Sequence, residues 1–150
     1  MKDEPVTHTV ASTFMRAYMT GQAVARATAT HLSVNLNIVE RKFGYRFGTP
    51  NHDLDWAEDP PGGESMQEFI DRTRLGVMQA CALGPCPAIV AHGGNLRVIA
   101  AGLGPDLPAG SVGNATPLKF TRNGGKWVLE FVGGIAAVTS TASASTTAVS

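Results

Sequence analysis

The stretch "PAIVAHGGNLRVIAAGL" runs from Pro87 to Leu103. Its first five residues are apolar and uncharged, and the run is bounded by a proline and by glycines. A short apolar run so bounded reads as a buried strand, Pro87 to Ala91. His92 and the pair Gly93-Gly94 follow, and a helical pattern then carries from Asn95 to Leu103. The stretch therefore reads as a strand giving way to a helix, with a histidine at the junction. A helix N-terminus presents free backbone N–H groups and a partial positive charge, so it favours anions. The glycines allow a ligand close to the backbone, and a histidine there can donate a proton to an anion at neutral pH. A histidine at a strand end also has an ordinary reading, as a hydrogen-bonded structural residue.

A second junction of the same kind lies upstream. Thr7 to Ala11 (THTVA) reads as a strand, Ser12 and Thr13 are residues of the helix-capping type, and a helical pattern runs from Phe14 to about Thr28. Arg16 stands in the first turn of that helix, where its charge opposes the helix dipole. Its planar donor fork suits phosphate, although a solvated surface arginine is the alternative. Further along, Leu32 to Val39 alternates and predicts a short strand, while Gly44 to Gly63 is a long loop rich in Gly, Pro and Asp. Glu64 to Ala82 predicts a helix with one face made of Met66, Phe69, Ile70, Thr73, Val77 and Cys81. Leu107 to Gly113 reads as loop. Thr116 to Thr121 and Lys126 to Val132 predict an antiparallel hairpin around Asn123-Gly124-Gly125. Strands alternating with helices imply an α/β fold with a mostly parallel sheet, in which ligands bind beyond the carboxyl ends of the strands.

The chain has 150 residues, enough for one domain with a real core. Residues 1–132 read as that domain. Residues 133–150 hold almost only small residues and read as a disordered tail. Lysine plus arginine equals aspartate plus glutamate at 12 each, which gives no whole-molecule case for a nucleic acid or a membrane as partner. Trp56 and Trp127 do not interleave with a basic patch. The first residues, MKDEPVTH, lack the apolar core of a secretory signal, so the expected compartment is the cytoplasm. Cys81 and Cys86 form one C-x4-C pair, read as two reduced thiols, and no metal or cofactor is expected. The Gly110-Ser111-Val112-Gly113 stretch has its serine one place too early for a nucleophile elbow. The acidic stretch from Asp53 to Asp59 lacks the spacing of a calcium loop.

Five segments, in order, resemble the histidine phosphatase superfamily, which includes the phosphoglycerate mutases. They are ASTFMRAYMT (Ala11 to Thr20), VERKFGYRFG (Val39 to Gly48), GGESMQEFIDR (Gly62 to Arg72), AHGGNLR (Ala91 to Arg97) and NATPLKF (Asn114 to Phe120). The resemblance implies a three-layer α/β/α sandwich, phosphoglycerate mutase-like, that transfers phosphoryl groups or hydrolyses phosphate esters. It implies that Arg16 binds phosphate, that His92 with Gly93 binds the phosphoryl oxygens, and that Glu40 is the acid for the leaving oxygen. Such chemistry needs fixed donors around the equatorial oxygens and an acid at the leaving group. The expected partner is therefore a phosphorylated small molecule or phosphate itself. The sequence Glu40-Arg41-Lys42 also reads as an ordinary charged turn.

One departure from the family pattern is large. The superfamily's nucleophile is the histidine of an R-H-G motif at the end of a first strand. The four histidines here are His8, His31, His52 and His92, and none stands between an arginine and a glycine. By resemblance, that strand would lie between Pro87–Ala91 and Thr116–Thr121. The expectations that follow are an N-terminally truncated fragment of a histidine phosphatase, its first strand missing and without turnover as given, or a non-catalytic oxyanion-binding or regulatory relative, or a domain completed by another chain. Open strand edges also imply self-association.

Overall fold

The computed structural model describes residues 1, 3–46, 48–49, 53–107 and 113–132. The chain order is β1 (His8–Ala11), α1 (Met15–Thr28), β2 (Leu32–Val34), α2 (Met66–Ala82), β3 (Pro87–Val90), α3 (Gly93–Leu103), β4 (Leu118–Asn123) and β5 (Lys126–Phe131). Two short 3-10 turns, Leu36–Ile38 and Gly44–Arg46, stand between β2 and α2. Among the described residues the main sheet has three strands in the order β2-β1-β3, all parallel, with Val10 opposite Ser33 on one side and Ile89 on the other. β4 and β5 form a separate antiparallel pair.

β1 is the centre of the sheet, and its Thr9, Val10 and Ala11 are no more than 1% exposed. A strand flanked on both edges needs apolar or internally satisfied side chains. Thr9 meets this by bonding its hydroxyl to that of Thr30 at 2.7 Å. α1 lies on β1 at Gly21, where an added Cβ would sit 2.7 Å from the Ala11 Cβ. α2 packs on the 3-10 turn before it, because Gly76 leaves room for the Ile38 side chain, 2.6 Å from where a Cβ would stand. Val10, Ile38 and Ala80 form the core cluster, with Ile89 and Ala91 against it.

The α/β character, the parallel sheet and the hairpin match the sequence reading, but several local expectations fail for identifiable reasons. Helix α1 is not capped by Ser12 or Thr13. Its cap position is Phe14, which makes no side-chain cap bond, and the Ser12 hydroxyl is turned inward instead. The strand expected over Leu32 to Val39 stops at Val34, since the Asn35 side chain accepts from the Asn37 N–H at 2.7 Å and starts the 3-10 turn. Helix α2 begins at Met66 behind a reciprocal capping box between Ser65 and Glu68. Its buried face is Phe69, Thr73, Gly76 and Ala80, whereas Cys81 is exposed. The face is rotated because the close approach to Ile38 occurs at a glycine, which carries no apolar signal.

At the other junction, helix α3 starts at Gly93, two residues ahead of the expected Asn95. β3 ends at Val90, and the hairpin ladder extends to Asn123↔Lys126, leaving Gly124-Gly125 as a two-residue turn. Both of these glycines have positive φ, 55° and 85°, as such a turn requires. His52, most of the loop at Leu107–Gly113 and the tail from residue 133 lie outside the described residues. Among the described residues both cysteines are free, and no helix is long and apolar enough to cross a membrane.

Candidate active site

β1 and β3 are adjacent and parallel, so their carboxyl ends deliver Ser12 and His92 to the same edge of the sheet. His92 Nε2 and Ser12 Oγ are 2.8 Å apart. Ser12 is fully buried and its Oγ also accepts from the Phe14 N–H at 3.3 Å. A hydroxyl can donate to the bare ring nitrogen or accept from the protonated one, so this contact holds the ring in place in either tautomer. The Phe14 ring meets the imidazole edge-on with centroids 5.2 Å apart, and the Arg16 guanidinium lies over the Phe14 ring, 5.1 Å from its centroid. Arg16 is exposed and has no carboxylate partner among the described residues.

Burial, then the Arg16 charge, then the Arg72 charge push the His92 pKa down to about 4. The ring is therefore neutral at pH 7, where the sequence alone suggested a ready proton donor. A bound anion would oppose both arginine charges and draw a proton onto the ring.

Glu40 reaches the same place from a distant segment. Its Oε2 accepts from the Gly94 N–H at 3.3 Å, and its Oε1 accepts from the Arg41 N–H at 3.0 Å. The helix turn offers no space for a side chain at Gly94, because a Cβ would stand 2.3 Å from Glu40 Oε1 and 2.8 Å from the Trp56 ring. Gly93 has no heavy atom within 4 Å of such a Cβ, and its N–H points to no partner among the described residues. The two glycines thus differ in kind. Gly94 makes room for the carboxylate, and Gly93 leaves an open backbone donor at the helix start.

The segment carrying Glu40 is held by residues that the sequence reading did not single out as part of the site. Arg72 donates from Nη1 to the Asn37 and Val39 carbonyls at 3.0 and 2.8 Å, and from Nη2 to the Glu40 carbonyl at 3.0 Å. Its Nε donates to Glu64 Oε2 at 2.8 Å, and its Nη2 also bonds Glu64 Oε1. Glu64 in turn accepts from the Lys42 N–H at 2.8 Å. Asn95, fully buried, ties α3 in, donating to the Val39 carbonyl at 3.2 Å and the Thr73 hydroxyl at 3.0 Å, while its Oδ1 accepts from the His92 N–H at 3.3 Å. The spacing of Glu64 and Arg72 on one helix start was the available signal.

A cleft of about 450 Å³ opens beside these groups, lined by Phe14, Arg16, Glu40, Lys42, Phe43 and Arg46 among others. It brings Arg16 and Glu40 into one cavity, while His92 is not in its lining and touches it only through the Phe14 ring. Among the described residues no group of His, Cys, Asp or Glu is arranged to hold a metal ion.

The model of the histidine phosphatase superfamily (branch 1) matches residues 1–133. The chain belongs to this superfamily. Among solved structures it is similar to a mycobacterial glucosyl-3-phosphoglycerate phosphatase in complex with inorganic phosphate, at 24% identity and a TM-score of 0.65, over 86% of this chain and 76% of that one. It is also similar to a protein described as mycobacterial hydrolase 1, at 25% identity and a TM-score of 0.61, over 83% and 75% of the two chains. A Thermus thermophilus protein matches at 24% identity and a TM-score of 0.55, over 70% and 64%. Against the native structure of the mycobacterial phosphatase, the chain spans 59% of the other's length. Among curated proteins none matches. The histidine phosphatase fold, with its parallel sheet and helices, is thus the setting of the site just described.

Proposed function

We propose that this histidine phosphatase superfamily chain binds the phosphoryl group of a small phosphate ester at the joined ends of β1 and β3, and that in these 150 residues alone it does not turn the ester over. The observation that carries the reading is the convergence of Glu40 on the N-terminus of α3 beside His92. In this reading Arg16, the His92 ring and the Gly93 N–H hold the phosphoryl oxygens. Glu40 faces the leaving oxygen as its acid. Phosphoryl transfer through a covalent intermediate also needs a nucleophile in line with the leaving group. The sequence contains no R-H-G tripeptide. His8, the one histidine of β1, is engaged with Ser33 at 3.1 Å and stands at the opposite end of the strand from Ser12.

The test has two arms. Titration of phosphate or vanadate into the wild type and Arg16→Ala should give clearly weaker binding by the variant, since a hydrogen bond to a charged group contributes about 1.5–3 kcal/mol. Incubation with a phosphate ester followed by mass spectrometry should find no phosphohistidine and no released phosphate. Equal affinity in the two proteins would remove the binding site, and a phosphoryl group on any histidine would restore turnover.

A further inference from the structure

We infer that the groove between α2 and α3 binds a medium-chain fatty acid, its carboxylate held between Arg74 and Arg97 and its alkyl chain laid toward Met66. The groove shares no lining residue with the cleft that holds Arg16 and Glu40. The inference is therefore independent of the phosphate reading.

The groove measures about 270 Å³, close to the smallest volumes of small-ligand sites. One wall is a stripe of α2, in which Met66, Ile70 and Arg74 recur at every fourth residue and so share a face. The other wall is the face of α3 that carries Arg97 and Val98 and, one turn on, Ala101 and Gly102. Packed helices ordinarily close such a seam with interlocking side chains. Here the seam stays open, since a Cβ at Gly102 would meet nothing within 4 Å. A glycine inside a helix weakens it relative to alanine. At Gly76 and Gly94 close neighbours account for the residue, and at Gly102 no protein neighbour does.

Both guanidiniums belong to one end of the groove. The Asn95 side chain donates to the Thr73 hydroxyl at 3.0 Å, one residue before Arg74 and two before Arg97, and pins the helices together there. Neither arginine has a carboxylate within ion-pair distance among the described residues. The acids of the two helices do not answer them. On α2, Glu68 closes the capping box with Ser65, and Asp71 accepts from Gln67 at 2.9 Å. α3 contains no acid at all. Two unpaired donor forks at the end of an apolar trough are complementary to a single carboxylate on an apolar body.

The length of the trough sets the length of the chain. Met66 and Arg74 stand two turns apart on α2, about 12 Å along the helix axis. With C–C bonds of about 1.5 Å, an extended alkyl chain of about eight to ten carbons covers that distance. Met66, Ile70 and Val98 are each half-buried, so an alkyl chain laid over them removes apolar surface that the fold leaves partly wet. Met66 suits the far end, because its unbranched thioether adapts to a flexible chain.

Calorimetric titration of the full chain with butanoate, octanoate and octan-1-ol, each below its micellar concentration, tests the groove. The wild type should bind octanoate about tenfold or more tighter than butanoate, through the added methylenes. It should also bind octanoate about tenfold tighter than octan-1-ol, through the charge. Gly102→Leu fills the trough where the new side chain meets no neighbour. It should lose octanoate with its helical circular dichroism unchanged, and Gly102→Ala should keep most of the binding. In the double variant Arg74→Gln, Arg97→Gln, octanoate should fall to the affinity of octan-1-ol, which itself should not change. Octanoate bound equally by the wild type and Gly102→Leu would place the ligand elsewhere and overturn the inference. Octanoate and octan-1-ol bound alike by the wild type would overturn it through the arginines. No octanoate binding by the wild type would also overturn it, and altered hydrogen exchange over residues 133–150 in Gly102→Leu would then name the chain's own end as the occupant.

Discussion

The Glu40 carboxylate accepts a hydrogen bond from the Gly94 main-chain N–H, 3.3 Å away and 54 residues further along the chain. That contact joins a charged turn to the start of α3 and makes one site of two segments that each look ordinary. The absence of a side chain at Gly94 is its condition.

Gly94→Ala should therefore loosen both fold and site. The new methyl group would meet Glu40 and Trp56 well inside contact distance. Overpacking of this kind costs about 1–3 kcal/mol. Gly93→Ala meets nothing within 4 Å and should leave stability unchanged or slightly raised. Urea denaturation of the two variants checks the contrast, and equal effects would show that the Glu40 contact does not constrain the helix start.

Arg72 holds Glu40 in place through backbone carbonyls and the buried Glu64 carboxylate. Its removal in Arg72→Ala leaves that carboxylate without its partner, and breaking such a pair costs about 3–5 kcal/mol. Arg72→Lys should recover only part of the loss, because an ammonium cannot reproduce the planar fork. The midpoint of denaturant unfolding reads both effects, and a lysine variant as stable as the wild type would argue against the geometric clamp.

The pKa of His92, lowered to about 4 from an ordinary 6.5, has a definite sign in stability. Between those values the unfolded chain binds the proton and the folded chain does not. The contribution is fully present above pH 6.5 and is lost as pH falls toward 4. His92→Gln should flatten this limb of the stability profile. Oxyanion binding near pH 6 should add a proton to the ring, seen as a calorimetric binding heat that varies with the buffer's ionisation enthalpy more in the wild type than in His92→Gln. Identical buffer dependence in the two proteins would show that the ring stays neutral with an anion bound.

Among the described residues no strand pairs with the edge of β3 away from β1. The Ser12 N–H donates to the Val90 carbonyl, so Val90 faces β1, and alternation turns Ile89 and Ala91 to the other edge. Neither has a backbone partner there among the described residues, and β4 and β5 form their own sheet. No charged residue lies within Pro87–Val90 to discourage pairing. A second copy should pair along this edge, antiparallel about Ile89. Light scattering should then show association rising with concentration, with protection of the Ile89 amide from hydrogen exchange rising in step. A monomer at all concentrations with the Ile89 amide already protected would contradict this.

Much of the fold was legible locally. The apolar run before His92, the helical periodicity from Glu64 to Ala82 and the Asn123-Gly124-Gly125 turn are short-range signals, and each formed within two or three residues of its expected place. Arg16, Glu40 and His92 were legible as residue types at strand-to-helix junctions or in a charged turn. The local errors share a cause. Ser12 was expected to cap a helix and instead meets His92, 80 residues away, because parallel pairing of β1 with β3 puts the hydroxyl beside the ring. The face of α2 was set by its glycine rather than by its apolar side chains.

The sequence by itself determined the order of strands and helices, the two junctions that end in Arg16 and His92, and the want of an R-H-G tripeptide. These depend on periodicity, on turn chemistry and on composition, all of which act over a few residues. Only the tertiary structure decided that Glu40 meets Gly94, that Arg72 clamps the Asn37–Glu40 segment, that His92 is neutral, and that Lys42 shares a cleft with Arg16. Each of these depends on the register of β1 against β3 and on how closely the helices approach, and so on contacts between residues far apart in the chain. Burial and electric field at such contacts are properties of the packed chain, and no local stretch of residues carries them.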